Sequence, residues 1–171
     1  LANALQEGVA AAYSAVMKPA EGTVLTVSRL AAKRAVEAAT EHNSAEYVLQ
    51  AAIEEGQLAL ADTVNQNPVL KKAGVVDAGG KGFLVILSGM LSCLRGEPMP
   101  EGADEDQPAA SIQDKADFES IDTESITFAF DTVYIVRKKS ETVDLAPLRA
   151  YLDSIGDSLV IGEDDESFKV H

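Results

Sequence analysis

Cysteine is nearly absent from this 171-residue sequence. Cys93 stands alone, so no internal disulfide can form, and the composition fits a reducing cytoplasm. Positive charge is also scarce: 14 Lys and Arg face 28 Asp and Glu, for a formal net charge of -14. The densest basic cluster is Arg137, Lys138 and Lys139, too small to hold a phosphate backbone, so nucleic acid is not an expected partner. Long apolar runs are missing as well. The densest stretch, Phe83 to Leu91, is interrupted by Ser88 and Gly89, which excludes a membrane span. The charged-then-apolar pattern of a secretory leader is not seen. Only two histidines occur, His42 and His171, in no recognisable metal-ligand spacing. No nucleophile elbow is found. What remains is ordinary globular composition, 46% hydrophobic and 25% charged, enough for one domain or one and a half small ones. The sequence opens at Leu1 without an initiator Met and stops at His171 within a strand-like run, so both ends are expected to be cuts in a longer protein.

Charge divides the chain. Residues 1–97 carry 8 Lys and Arg against 10 Asp and Glu, whereas residues 98–171 carry 6 against 18. The first part reads as helices. Leu5, Val9, Ala12, Tyr13 and Val16 fall at helical spacing, and Pro19 and Gly22 break the run. Thr23 is placed to cap an alanine-rich helix from Val24 to about His42. Asn43 and Ser44 precede a third helix, whose stripe is Val48, Leu49, Ala52, Ile53, Leu60 and Val64. Pro68 opens a short helical turn reaching Lys72, and a glycine-rich loop from Gly74 to Gly82 leads into a fourth main helix over 82–94. That helix is apolar almost all round, which places it at the centre of a bundle. Cys93 and the methionines read as packing or loop residues.

Residues 98–124 read as an acidic tether: Pro98, Pro100 and Pro108 resist regular structure, and nine carboxylates face one Lys115. The period then changes to two. Ile126, Phe128 and Phe130, continuing through Val133, Ile135 and Val136, predict a strand. Asp144 is placed to cap a helix carrying Leu145, Leu148, Leu152 and Ile155, with Gly156 as its stop. Ser158–Gly162 predicts a second strand, Glu163–Glu166 a hairpin turn, and Phe168–His171 a third strand. The expected fold class is α+β: a helical part over residues 1–97, the tether over 98–124, and the start of a split β-α-β-β domain over 125–171.

Two loops could carry chemistry. Lys18-Pro19-Ala20-Glu21-Gly22-Thr23 and Asp77-Ala78-Gly79-Gly80-Lys81-Gly82 both precede helices, where free backbone N–H groups and the helix dipole suit an anion. Spacing alone favours two plain helix-helix turns. The second loop is not a phosphate loop, because Val75 stands at the first glycine position and Gly82 follows Lys81 in place of Ser or Thr.

The run Pro19-Ala20-Glu21-Gly22-Thr23-Val24-Leu25-Thr26-Val27, followed by Asn67-Pro68-Val69-Leu70-Lys71-Lys72-Ala73-Gly74-Val75-Val76-Asp77-Ala78-Gly79-Gly80-Lys81-Gly82, resembles the nucleotide-binding L-type domain of dihydroxyacetone kinases. It is most similar to the bacterial fusion proteins that include the ATP-binding component of fatty acid kinase. Leu148–Val160 and Lys169–His171 resemble that family's middle domain, so the likeness covers both halves in order.

The resemblance implies part of an all-helical nucleotide-binding barrel with ATP at one end and magnesium on its phosphates. The family's magnesium-binding aspartates lie in a GDTGTN-like motif that these residues do not include. Glu21 matches an acid in the family's Gly-Asp-Arg-Thr-like loop, Gly22 replaces the arginine, and Thr23 matches the threonine. Val24 stands where a large apolar residue packs on adenine. Asp77, Ala78 and Gly79 match an Asp-Pro-Gly run, with Ala78 departing from proline. These residues would border the nucleoside, and none is expected to be catalytic. In the middle domain, Asp131 occupies a position where the family can have a metal-binding cysteine, and His171 that of the first histidine of a His-x-His pair. His171 is read here as a plain strand residue.

The function so implied is an ATP-binding kinase component acting on a fatty acid delivered by a DegV-type fatty-acid-binding partner, with these residues alone inactive. A dihydroxyacetone kinase-like activity, or a non-catalytic scaffold for dimerisation or docking, are the alternatives. Half of a helical barrel should leave an apolar face bare, so a homo-oligomer is expected.

Overall fold

The computed structural model describes residues 1–98, 127–140 and 142–171. They divide into two units, 1–10 with 20–98, and 11–19 with the described residues from 127 onward. The architecture is α+β, mostly helical with one small antiparallel sheet. The expected tether over 98–124, Pro98 excepted, and the strand position Ile126 lie outside the described residues.

The helices are α1 (Ala2–Ala15), α2 (Val24–Glu41), α3 (Ala45–Gln66), α4 (Pro68–Ala73) and α5 (Ala78–Leu94). Most starts have a local cause. Thr23 Oγ1 accepts from the Leu25 N–H at 3.3 Å, and Ser44 Oγ from the Tyr47 N–H at 3.3 Å. Asn67 Oδ1 accepts from the Val69 N–H at 3.0 Å, ahead of Pro68 in the first turn of α4. Gly74, left-handed at φ 68°, stops α4. At the end of α2 the Glu41 carboxylate accepts from Arg34 at 2.8 Å and from the Tyr47 hydroxyl at 2.6 Å, which ties α2 to the first turn of α3.

Packing in the first unit follows from small residues. Ala31, Ala35 and Ala38 of α2 face Ala51 and Ala52 of α3, and all are buried. Without large side chains between them, the two helices approach closely. Val27, Leu49, Ile53, Leu84, Leu87 and Leu91 fill the adjoining core, where α5 packs on α2 and α3. The apolar circumference of α5 is buried on one side only. Val85, Ile86 and Leu94 are more than half exposed, so among the described residues α5 is not at the centre of a bundle. The reason is geometric: α2 and α3 cover one face of it.

The second unit is a β-α-β-β arrangement of β1 (Tyr134–Arg137), α6 (Ala146–Ile155), β2 (Ile161–Glu163) and β3 (Ser167–Val170). The sheet order is β1-β3-β2, all antiparallel. Leu145, Leu159, Ile161, Phe168 and Val170 form its core. Asp144 Oδ1 accepts from the Ala146 N–H at 2.9 Å at the entry to α6.

Two expected strands are shorter than the pattern suggested. β1 begins at Tyr134, opposite Val170, and the alternating residues Phe128 and Phe130 precede the ladder. His171, next in β3's direction, turns both backbone groups to Val160, at 2.9 and 2.7 Å. β2 begins at Ile161 because Ser158, at φ 54°, is left-handed and breaks the extended run. The hairpin turn stands where expected. Asp164 donates its N–H to the Ser167 carbonyl at 2.9 Å, and its carboxylate accepts the N–H groups of Glu166 and Ser167.

Candidate functional site

Residues 20–23 of the first loop and the whole of the second come together in the first unit, at one end of the α2–α3–α5 packing. In the first loop Gly22 adopts φ +74°. A methyl group added to it would stand 2.9 Å from both Cβ and N of Asn67, so only glycine lets this turn lie on the α3–α4 junction. Glu21 points back along α2: its Oε2 accepts from Thr26 Oγ1 at 2.7 Å and from Arg29 Nη2 at 2.7 Å. The Gly22 N–H donates to Thr26 Oγ1 at 2.9 Å. Thr23 donates its hydroxyl to the Ala20 carbonyl at 2.8 Å while capping α2. Val24 follows in the first turn of α2 and is 36% exposed, an apolar residue at the surface of this end.

The second loop is shorter than the glycine pattern suggested. The helix expected to begin at Gly82 begins at Ala78, so Ala78, Gly79 and Gly80 form the first turn of α5. Asp77 is the cause. Its Oδ2 accepts from the Gly80 N–H at 2.6 Å, and a carboxylate cap at a helix N-terminus outweighs the low helix propensity of two glycines. The glycines serve packing instead. A methyl on Gly79 would stand 3.3 Å from Val24 Cβ, and one on Gly80 would stand 2.8 Å from Val27 Cγ2. The first turns of α2 and α5 therefore touch through bare backbone, and Val24 lies beside Gly79. The Asp77 N–H donates to Thr63 Oγ1 of α3 at 3.1 Å.

Thr26 and Thr63 were not among the residues singled out from the sequence. Their signal there was weak: a threonine inside an otherwise apolar helical stripe. Both are essentially buried, at 1% and 0% exposure.

The charges at this end are mixed, because the Glu21 carboxylate is paired with Arg29 at 2.7 Å. Two carboxylates, Glu21 and Asp77, lie in the loops, and Asp77 already receives the N–H that would face a ligand at the start of α5. A naked phosphate would meet a charge of its own sign there. Among the described residues, no group of three or more His, Cys, Asp or Glu is arranged to hold a metal ion.

In the second unit His171 follows β3, and its Nε2 lies 2.6 Å from Asp131 Oδ1. The pair borders an open cleft of about 770 Å³, lined by Phe128, Phe130, Tyr134 and Leu152 among others. Asp131 and His171 are thus brought together across 40 residues of sequence. Cys93 is exposed on α5. No described helix is long and apolar enough to cross a membrane.

Residues 1–92 match the DAK2 domain family, and residues 127–171 match the FakA-like middle domain of fatty acid kinases. Protein YloV of Bacillus subtilis (strain 168) is 40% identical over 175 residues, covering 99% of this chain and 32% of its own length. Protein SH1689 of Staphylococcus haemolyticus is 40% identical over 174 residues, covering 100% and 32%. Protein SSP1546 of Staphylococcus saprophyticus is 38% identical over 173 residues, covering 99% and 31%. The chain spans about a third of the length of the curated relatives it matches. A DAK2 match over more than half of the residues, followed in order by the second match, makes this chain a member of the DAK2 domain family with a FakA-like middle domain of the fatty acid kinase type.

Proposed function

We propose that the chain forms the nucleoside-facing wall of an ATP site in a kinase, with Glu21, Gly22, Thr23, Val24, Asp77, Ala78 and Gly79 bordering the nucleotide. The observation that carries this reading is the contact of Gly79 with Val24, which joins two loops more than fifty residues apart in sequence into one surface. Val24 supplies an apolar patch for the base, and glycine backbone lets a ligand approach closely. The carboxylate cap on α5 argues that the phosphates lie elsewhere, next to a cation. Magnesium, when bound, neutralises the phosphate charge, and phosphoryl transfer is chiefly positioning and charge stabilisation. The described residues suit the nucleoside; the groups that hold magnesium would be contributed from outside them.

The phosphoryl acceptor in this reading is a fatty acid presented by a DegV-type fatty-acid-binding protein. The support is the middle-domain match, which follows the nucleotide-binding part in the same order. The bare face of α5 would be covered by self-association.

Calorimetry tests the reading. The intact protein should bind Mg-ATP and phosphorylate a fatty acid when the binding partner is supplied. Residues 1–171 alone should bind Mg-ATP weakly and transfer nothing. Micromolar binding by residues 1–171 would show that the cation-holding groups are already present and overturn the division of labour.

A further inference from the structure

We infer that Thr26 and Thr63 are positioning residues for the nucleotide site, each holding one of its two loops through a buried hydroxyl; this rests on the nucleotide reading above. Among the described residues the buried hydroxyl-bearing residues are Thr26, Ser28 and Thr63. Ser28 bonds to a carbonyl of its own helix, that of Leu25, at 3.1 Å. The two threonines do something different.

Thr63 Oγ1 donates to the Leu60 carbonyl at 2.6 Å, and this fixes the direction of its proton. Its lone pairs then face the Asp77 N–H, which donates at 3.1 Å from fourteen residues further along the chain. Asp77 is the cap of α5, so the position of its backbone sets where the first turn of α5 begins and how Gly79 meets Val24. Thr26 works on the other loop. Its hydroxyl donates to Glu21 Oε2 at 2.7 Å and accepts the Gly22 N–H at 2.9 Å, holding side chain and backbone of consecutive loop residues together.

Burying a hydroxyl costs free energy unless it is bonded, and threonine is a weaker helix former than alanine or leucine. Thr26 in the first turn of α2 and Thr63 near the end of α3 avoid that cost, because both hydroxyls are bonded. What each contributes is a bond that leaves its helix and ends on a loop residue of the site. Valine has the same shape without that bond; serine keeps the bond.

The test uses the intact protein and Mg-ATP. Thr63→Val and Thr26→Val should each raise the Kd by about 3- to 10-fold, the range expected when a buried hydrogen bond is lost and its N–H is left unpaired. Thr63→Ser and Thr26→Ser should stay within about 2-fold of wild type, because the oxygen remains. Exchange of the Asp77 amide should quicken in Thr63→Val and return in Thr63→Ser, with the Gly22 amide reporting Thr26 in the same way. Leu87→Val, which loosens the same core without touching either loop, should keep the wild-type Kd while lowering the unfolding temperature. If the valine variants bind like wild type, or if Leu87→Val weakens binding as much as they do, the inference is overturned and the nucleotide reading stands. If wild type fails to bind Mg-ATP, the nucleotide reading falls and the inference with it.

Discussion

Leu84 of α5 sits on the bare backbone of Gly56 in α3: a methyl group at Gly56 would stand 2.5 Å from Leu84 Cδ2. Gly56 is buried in the middle of a 22-residue helix, where glycine costs roughly 0.5–1 kcal/mol relative to alanine. An alanine here would have to displace the Leu84 side chain. Gly56→Ala should therefore destabilise the protein, since overpacking a filled core costs about 1–3 kcal/mol and exceeds the gain in helix propensity. Leu84→Ala alone should cost about 2–5 kcal/mol. In the Leu84→Ala background the sign reverses: Gly56→Ala now has room and should stabilise. Urea denaturation of the four proteins of this cycle measures the reversal, and a destabilising Gly56→Ala in both backgrounds would show that some other neighbour sets the limit.

The first loop is governed by a different constraint. Gly22 has a left-handed backbone and no room on its outer side, because Asn67 stands within 2.9 Å of where a Cβ would go. The left-handed conformation alone costs a non-glycine residue about 1–2 kcal/mol. Gly22→Ala must either accept that and push Asn67 aside, or move the loop. If the loop moves, the Gly22 N–H leaves Thr26, and Glu21 loses the hydroxyl that orients it. The expected outcome is a loss of about 1–3 kcal/mol in stability together with weaker Mg-ATP binding. Gly82, which has open space around it, serves as the comparison: Gly82→Ala should leave both nearly unchanged or slightly improved. Thermal melts and calorimetry on the pair separate the two cases.

Much of this fold was legible because its elements are announced by short-range chemistry. Thr23, Ser44, Asn67 and Asp144 all accept backbone N–H groups at helix starts that the sequence announces, and Gly74 takes the left-handed turn after α4. Pattern and structure part at two places. The glycines after Asp77 look like a loop, whereas the Asp77 carboxylate cap makes them a helix turn, and the packing on Val24 and Val27 uses their bare backbone. Phe128 and Phe130 alternate as a strand would, but a strand needs a partner, and β3 offers one only from Tyr134 onward. For the site, the motif residues could be read in one dimension. Thr63 could not, because its partner Asp77 lies fourteen residues further on; Thr26 bonds only four and five residues back, but its pattern is that of any buried helix residue.

Asp77 offers a sharper probe of the second loop. Its carboxylate caps α5 through the Gly80 N–H at 2.6 Å, while its own N–H is held by Thr63. Asp77→Ala removes the cap and should cost about 0.5–2 kcal/mol of stability. Asp77→Asn keeps an acceptor oxygen and should recover most of that. The charge itself matters to the ligand in the opposite sense. If the phosphates lie away from α5, Asp77→Asn should change Mg-ATP affinity little; if they approach that helix start, removing the negative charge should tighten binding. Calorimetry with Mg-ATP and with adenosine distinguishes these, because only a phosphate near Asp77 makes the two ligands respond differently.

The hairpin between β2 and β3 gives the chain an acid-sensitive feature. Backbone N–H bonds from Ser167 and Glu166, with the Ser167 hydroxyl next and Lys138 last, hold the Asp164 carboxyl below its ordinary value. A carboxyl whose folded pKa is depressed stabilises the folded state above its unfolded pKa, and that contribution is lost as the pH falls through the lowered folded value. The β2–β3 turn should therefore loosen in acid below the ordinary aspartate range and not near neutrality. Lys138 lies against the same turn, with Nζ 2.7 Å from Glu163 Oε1, so loosening frees its ammonium as well. Asp164→Asn should remove this component of the acid transition and leave the unfolding profile near pH 7 otherwise similar in shape. Amide exchange at Glu166 and Ser167, followed from neutral pH down to acid, reads the turn directly; protection that persists unchanged below the ordinary aspartate range would mean that the β3 ladder, and not the Asp164 carboxylate, holds it closed.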